Sequence, residues 1–350
     1  VWPLYPEGIG GARMRDGSVL ILSGKEVAET CTGRELEILA TVRAAYRAHG
    51  RGESALPHST FLRFPGDETN RIIALPAYLG DDFRVAGVKW IASFPGNLGR
   101  GMARASGLLV LNSTTNGRPE VLLEGSLVSA LRTAASAAAA AHALLGGGAP
   151  EVAGLVGAGV IQRQTARFLA LALPGLERFL IHDLDTPRAR RLADSLVQCG
   201  ARAEVAPALG DVLARCPLVS FATTAPRPHV HDLSRCPAGA VILHLSLRDL
   251  APELLLDADN VVDDPDHVCR AETSLHLAER LAGHRDFIRC TLADILDGRA
   301  PARCDPAALA VFSPFGLGVL DLAVGQLVAR HAQAAGRGLV LPGFIPELEE

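Results

Sequence analysis

Three side chains in this sequence have surroundings in which they could do chemistry. Lys89 lies in GVKWIASF, where Lys89, Ile91 and Ser93 alternate with Val88, Trp90, Ala92 and Phe94. A strand lysine is ordinarily solvated, but Ile91 on the same face implies partial burial. A lysine against an apolar wall gives up its proton more readily and can act on a carbonyl, an imine or a water. Arg132 sits in the first turns of a helix otherwise rich in Ala and Leu. A guanidinium there either pairs with a carboxylate of the protein or clamps one from a substrate or a phosphate, and its place at a domain junction favours the ligand. Asp249 follows the apolar run AVILHL. It either reaches a reacting group from a loop or caps the helix begun by DLAPELLL. His229 and His231, in HVH, could share a strand face as metal ligands. No carboxylate or cysteine stands at ligand spacing from them, so no metal is expected.

A nucleotide site is readable beside them. VAGLVGAGVIQRQTARF, from Val152, reads as strand, glycine turn and helix. Gly157 and Gly159 would let the backbone approach a pyrophosphate at a helix N-terminus, where amides point at the anion. Gln162 stands where the third glycine of the dinucleotide fingerprint belongs; pointing outward, it could hydrogen-bond phosphate. The plain alternative is a buried strand–helix unit with no ligand. FLIHD ends in Asp183, about two dozen residues on, where an acidic side chain holds ribose hydroxyls. That charge repels a 2′-phosphate, so NAD is expected over NADP, with Arg188 close enough to complicate the preference. Ligands in open α/β sheets sit at the carboxyl ends of strands. Those ends are Gly157–Gly159, Asp183, Thr223 and Thr224 of ATTA, and Ser246 and Asp249 of SLRD. The expected cofactor set is Arg132, Thr133, Gly157, Ala158, Gly159, Val160, Gln162, Asp183, Arg188, Thr223, Ser246 and Gly316.

The elements that must position these residues fall into two kinds. SVLILS reads as a strand and residues 25–50 as one helix, with Leu36, Leu39, Val42, Ala45 and Tyr46 at helical spacing. HSTFLRF, RIIALPAYL and RVAGVKWIASF read as antiparallel strands, with turns at PGDETN and LGDD. SGLLVLNSTTNGRPEVLLEG is a hairpin around Asn116-Gly117. After a helix over 127–145, continuous apolar strands alternate with helices, as in a parallel sheet buried on both faces. The expected architecture is α/β: a doubly wound Rossmann domain over 127–310, and a discontinuous α+β substrate and dimerisation domain from 1–126 and 311–350. The length of 350 residues supports two domains. A net charge of −4 with scattered arginines argues against nucleic acid or an anionic membrane surface as partner. TAASAAAAAHALLGGG reads as a close-packed helix rather than a membrane span, and VWPLYPEGIGGARMRDG has no secretory apolar segment. Seven dispersed cysteines without a C-x-x-C pair suggest reduced thiols and a cytoplasmic protein.

The blocks AGVKW…FPGN, GRPEVLLEGSLVSALRTAASAAAA, GLVGAGVIQ and FSPFGLGVLDLA, in that order, resemble the ornithine cyclodeaminase/μ-crystallin family from about residue 18 to 335. The resemblance implies oxidation of an amino acid by bound NAD and attack on the imine by water or an internal amine. It assigns substrate holding to Lys89, carboxylate binding to Arg132 and the catalytic carboxylate to Asp249. Two departures from the cyclodeaminases bear on the substrate. Their G-x-D-x-P-G-K type block is SLRDLAPEL here, and the arginine after their first-domain proline is missing from LPHSTFLRF, where Ser59 falls near its place and Arg63 or Arg71 could substitute. KWIASFPGN, RASGLLVLN, SLRDL, NVVDDPDHVCRAETSLHLAE and RDFI resemble instead the branch of 2,3-diaminopropionate biosynthesis dehydrogenases of siderophore and peptide-antibiotic pathways. That branch implies N-(2-amino-2-carboxyethyl)-L-glutamate as substrate, with Asp249 or Lys89 as base. Its three carboxylates need several cations: Lys89, Arg132 and, among Arg63, Arg71, Arg104 and Arg248, chiefly Arg63 and Arg104. The family also implies a homodimer formed through the first domain. The alternatives are a cyclodeaminase or simple amino-acid dehydrogenase, and a non-enzymatic nucleotide-binding protein.

Overall fold

The structure, a computed structural model, describes residues 17–346. The N-terminal stretch read as lacking a secretory segment lies outside these residues except for its last glycine. The chain divides into two compact units, 1–132 with 317–350, and 133–316.

The first unit opens with β1 (Val19–Leu22), α1 (Gly24–Cys31) and α2 (Glu35–Gly50). The single helix expected over 25–50 is thus two. Ser23 and Glu26 form a capping box that starts α1, and Gly33, at φ +76°, turns the chain before α2. Then come β2 (Ser54–Ala55), β3 (Thr60–Phe64), β4 (Asp67–Leu79), β5 (Val85–Ser93), β6 (Ala105–Asn112) and β7 (Pro119–Glu124), followed by α3 (Gly125–Leu144), within which the division between the units falls after Arg132. The hairpin predicted around Asn116-Gly117 joins β6 to β7 in antiparallel register. Helix α3 is long and apolar enough to cross a membrane by length and composition, but 72% of its apolar window is buried within the protein. Its alanines from Ala134 to Ala141, Ser136 among them, are packed as core.

The second unit runs β8 (Val152–Val156), α4 (Val160–Ala172), β9 (Arg178–His182), α5 (Thr186–Gln198), β10 (Arg202–Val205), α6 (Leu209–Arg215), β11 (Leu218–Phe221) and β12 (Val241–His244). It continues with α7 (Glu253–Leu256), β13 (Asp259–Val262), α8 (Pro265–Val268), α9 (Ser274–Ala282), β14 (Ile288–Thr291), α10 (Leu292–Leu296) and β15 (Ala310–Ser313). Its eight strands are parallel in the order β10-β9-β8-β11-β12-β15-β13-β14. The order reverses between β8 and β11, the switch point at which a doubly wound sheet opens a crevice for ligand. Strands β8, β11, β12 and β15 are buried at every residue, as their largely apolar sequences lead one to expect, with Ser220, His244 and Ser313 the polar exceptions. Strand β15 pairs with β12 and β13, so Val311–Ser313 belong with this sheet and not beyond the 310/311 boundary expected from sequence.

The chain returns to the first unit with α11 (Gly318–Ala334) and β16 (Leu339–Leu341). The sheet order there is β16-β1-β7-β6-β5-β4-β2, with β3 on β4. Helix α11 lies close on one face of this sheet. A Cβ on Gly318 would meet Leu75 and Ala77, and one on Gly325 would meet Leu109. Small residues let the helix and sheet backbones approach at these points.

Candidate active site

The glycine turn of the second unit has the features a pyrophosphate needs. Gly157 has φ +90° and donates its amide to His182 O at 2.8 Å; a Cβ there would lie 2.6 Å from Ala222 O. Gly159 is the N-cap of α4 and supplies no side-chain cap, and a Cβ on it would meet nothing within 4 Å. The first amides of α4 and the open space at Gly159 therefore fit an anionic ligand. Val160, the first helical residue, is exposed. The Ala158 amide donates to Asp183 Oδ2 at 2.7 Å, and Asp183 Oδ1 accepts from the Asp185 amide at 2.8 Å. Asp183 thus ties the end of β9 to the turn after β8. Arg188 is half-buried on α5.

Gln162 corrects the sequence reading. It is fully buried rather than turned outward. Its Nε2 donates to Ser220 O at 2.7 Å, and its Oε1 accepts from Ser220 Oγ at 3.0 Å. The side chain joins α4 to β11 and offers no group to a phosphate. A glycine at this position lets helix and strand pack closely; glutamine here fills the gap and satisfies its own amide.

Asp249 is the hub of a second cluster in this unit. It is fully buried, and it does not cap α7, whose N-cap is Pro252. Its Oδ1 accepts from Thr223 Oγ1 and from His229 Nε2, the latter at 3.1 Å, while Oδ2 accepts from Ser246 Oγ. The hydroxyls of Thr223 and Ser246, expected at the cofactor, are donated to Asp249 instead. The Asp249 amide donates to His244 Nε2 at 3.1 Å, and the same nitrogen lies 3.5 Å from Oδ2. The other ring nitrogen, Nδ1, faces Ser313 Oγ at 3.4 Å. Burial alone would push the Asp249 carboxyl up, yet its net direction is down, well below the usual carboxylate range. The lowering comes first from the contact with His244 and then from the donated hydroxyls of Ser246 and Thr223. Asp249 is therefore an ionised, weak base.

Asp263 and His244 were not singled out in the sequence. Asp263, at the end of β13, is fully buried and accepts from the amides of Asp264, Phe315 and Gly316 at 2.9, 2.9 and 2.7 Å. Burial pushes its carboxyl up to about 6 against those three bonds. The Gly316 amide, expected at the cofactor, is thus committed to Asp263. Arg248, a candidate substrate cation, donates to the carbonyls of Ala271 and Glu272 and fastens a loop in which both residues have positive φ. Thr133 is buried in α3. Among the described residues no group of three His, Cys, Asp or Glu side chains could hold a metal, and the His229 ring of the HVH motif is on Asp249.

The first unit holds a cationic cluster on one buried carboxylate. Lys89, 2% exposed, donates Nζ to Asp321 Oδ2 at 2.6 Å and to Ser129 Oγ at 3.2 Å. Arg132 donates Nε to Asp321 Oδ1 at 3.1 Å and Nη2 to Ser129 Oγ at 3.2 Å. Of the two readings for Arg132, the pairing with a protein carboxylate is observed. Burial and the Arg132 charge push Lys89 down to about 8, against Asp321, which favours its proton. Asp321 comes from α11, and the sequence carried a signal for it: an acid inside GLGVLDLAVGQLV must find a cation to be buried. Arg63 stands exposed on β3, its guanidinium 5.8 Å from the Phe61 ring centre, and Arg104 is half-buried just before β6.

A family model described as the ornithine cyclodeaminase/mu-crystallin family matches residues 20–336. The N-((2S)-2-amino-2-carboxyethyl)-L-glutamate dehydrogenase of Staphylococcus aureus is 27% identical over 311 residues, covering 85% of this chain and 90% of its own. The Δ1-pyrroline-2-carboxylate reductase of Thermococcus litoralis, solved with NADH and L-proline, superposes with a TM-score of 0.85 at 23% identity over 92% of this chain and 99% of its own. An archaeal alanine dehydrogenase dimer with bound NAD gives 0.82 at 24% identity over 93% and 99%. The two superpositions bear on the fold alone.

Proposed function

The chain belongs to the ornithine cyclodeaminase/mu-crystallin family, and from that premise we propose that it is an NAD-dependent oxidoreductase acting on N-(2-amino-2-carboxyethyl)-L-glutamate. The products would be L-2,3-diaminopropionate, 2-oxoglutarate and NADH, the first serving a siderophore or peptide antibiotic. The observation that carries the reading is the Lys89–Asp321–Arg132 cluster, where two buried cations share one carboxylate. Arg132, which stays charged, suits a substrate carboxylate beside a lysine able to take a proton. The S. aureus relative's named substrate, a tricarboxylate, supports the same choice.

The amides of Gly159 and Val160 would hold the pyrophosphate of NAD where the turn of Gly157 and Ala158 brings the backbone close, and Asp183 would hold the ribose. Bound there, NAD supplies the acceptor for a hydride from the glutamyl α-carbon. The protein's own tasks are those of a proton carrier and a clamp. The substrate's secondary amine must be neutral before its lone pair can form the C=N bond. Lys89, with its proton affinity lowered to about 8, can take that proton, whereas Asp249 is too weak a base to do so. Water then adds to the imine carbon, the C–N bond breaks, and the leaving nitrogen takes a proton. Arg132 keeps its charge throughout and orients a carboxylate. The seven free cysteines favour a cytoplasmic location.

The test is the purified protein with the adduct and NAD. One NADH and one 2-oxoglutarate should form per adduct consumed. Formation of proline and ammonia from ornithine, with no NADH from the adduct, would overturn the reading in favour of a cyclodeaminase.

A further inference from the structure

We infer that His229 and Asp249 form a working dyad, in which Asp249 fixes the imidazole and His229 is the member that meets the reacting molecule and carries the proton. The inference rests on the oxidative reading above and deepens it.

Access comes first. Asp249 is fully buried, and both its oxygens are already accepting, Oδ1 from Thr223 and His229 and Oδ2 from Ser246. Both of its oxygens are thus committed within the protein, to three side-chain donors. Of the two imidazoles beside it, His244 is fully buried, while the His229 side chain is 39% exposed. Contact between Asp249 and a ligand therefore runs through His229.

The tautomer follows from the partners. An ionised carboxylate only accepts, so the His229 nitrogen 3.1 Å from Oδ1 must carry the proton. The lone pair is left on Nδ1, the nitrogen away from Asp249. A buried aspartate that fixes the tautomer of a histidine and steadies its charged form is the logic of hydrolytic triads. The backbone holds the ring as firmly as the side chain does. The amides of His229 and Val230 both donate to Asp249 O at 2.9 Å, and the Ala251 amide donates to Val230 O at 2.8 Å. This short parallel bridge, Val230 beside Leu250, binds the two loops together.

The chemistry closes without any further reactant. As the water oxygen bonds to the imine carbon, its proton passes to His229 Nδ1, and the imidazolium formed rests against the Asp249 charge. As the C–N bond breaks, that proton goes to the departing nitrogen, the hydroxyl proton left on the carbinol oxygen passes to the freed Nδ1 as the C=O bond forms, and the imidazole then yields it to the amine product, which leaves as an ammonium. An imidazole with a free lone pair on Nδ1 can both take and return a proton, which the enclosed, weakly basic Asp249 cannot do.

The experiment uses His229→Gln, Asp249→Asn and the double variant, each measured for turnover of the adduct and for NADH affinity by fluorescence. Each single change should lower kcat by about 100-fold or more. The double variant should be little slower than the worse single, because the two act as a unit. NADH affinity should stay within about threefold, a change of less than ~1 kcal/mol. Added imidazole should restore part of the turnover of His229→Ala. A His229→Gln enzyme with normal kcat, or losses that multiply in the double variant, would overturn the dyad. Nitrogen NMR of the His229 ring gives an arm independent of turnover: the proton should sit on Nε2 in the native protein and lose that preference in Asp249→Asn. If the native protein forms no NADH from the adduct, the substrate reading fails. The ring tautomer then decides the dyad by itself, an Nδ1-protonated ring overturning it.

Discussion

At Lys89, burial and neighbouring charge act in opposite directions. Burial and Arg132 lower its proton affinity, Asp321 raises it, and the balance falls at about 8 against an ordinary value of 10.5. Between those two values the unfolded chain binds more protons at this site than the folded one. Lys89 therefore penalises folding fully below pH 8, and the penalty fades as pH rises toward 10.5. Activity should move the same way if Lys89 takes the substrate's proton: kcat/KM should climb with pH up to about 8 and level off as the neutral amine comes to dominate. Lys89→Met, which keeps the apolar stem and removes the base, should abolish that limb and cost about 100-fold in kcat. A Lys89→Met enzyme with an unchanged pH profile would move the base elsewhere. Asp321 is the counterpart of this argument. Removing it by Asp321→Ala leaves two buried cations without their carboxylate and should cost about 3–5 kcal/mol in chemical denaturation. The isosteric Asp321→Asn, which keeps a hydrogen-bond acceptor, should cost less.

The strand–turn–helix at Val152 gives the element scale its clearest contrast, because its two glycines serve different ends. Gly157 has a left-handed backbone and no room for a Cβ beside Ala222 O, so Gly157→Ala should lose roughly 1–3 kcal/mol of stability along with NAD affinity. Gly159 has an extended backbone and open space around it, so Gly159→Ala should unfold near the native temperature and yet bind NADH more weakly. Paired melting curves and NADH titrations separate the two; an equal loss of stability in both would deny Gly159 its place against the ligand. The same element marks where sequence stops being legible. The parallel sheet could be read from strands such as VAGLV and AVILHL, because apolar residues on both faces leave one architecture open to them. The direction of Gln162 could not, since its partner Ser220 lies 58 positions away. Asp321 was missed for the same reason, standing 189 and 232 positions from the cations it joins. Helices of four or five residues such as α8 and α10 escaped, because fewer than two turns show no period.

At the scale of the whole molecule, the first unit's sheet carries its two faces very differently. Lys89, Leu75 and Leu109 pair across β5, β4 and β6 on the face that α11 covers, where Gly318 and Gly325 come close to Leu75 and Leu109. Trp90 stands on the other face, opposite Leu108 on β6 and Ala74 on β4. Strand alternation from Ala74 puts Tyr78 and Ile72 on that same face, and pairing with Ile72 brings in Leu62 of β3. Leu62, Tyr78, Trp90 and Leu108 are all exposed, so four large apolar side chains lie together on one side of one sheet. Such a patch fits an association surface, and a two-fold contact would let each copy cover the other's. The protein should therefore sediment at twice its chain mass. Trp90→Glu and Leu108→Glu, which put charge at directly paired positions, should each shift it toward monomer, and together should do so fully. Neither residue points toward Lys89, so the variants should keep their secondary structure and their NADH affinity. A double variant that still sediments as a dimer would show that this face is not where two copies meet.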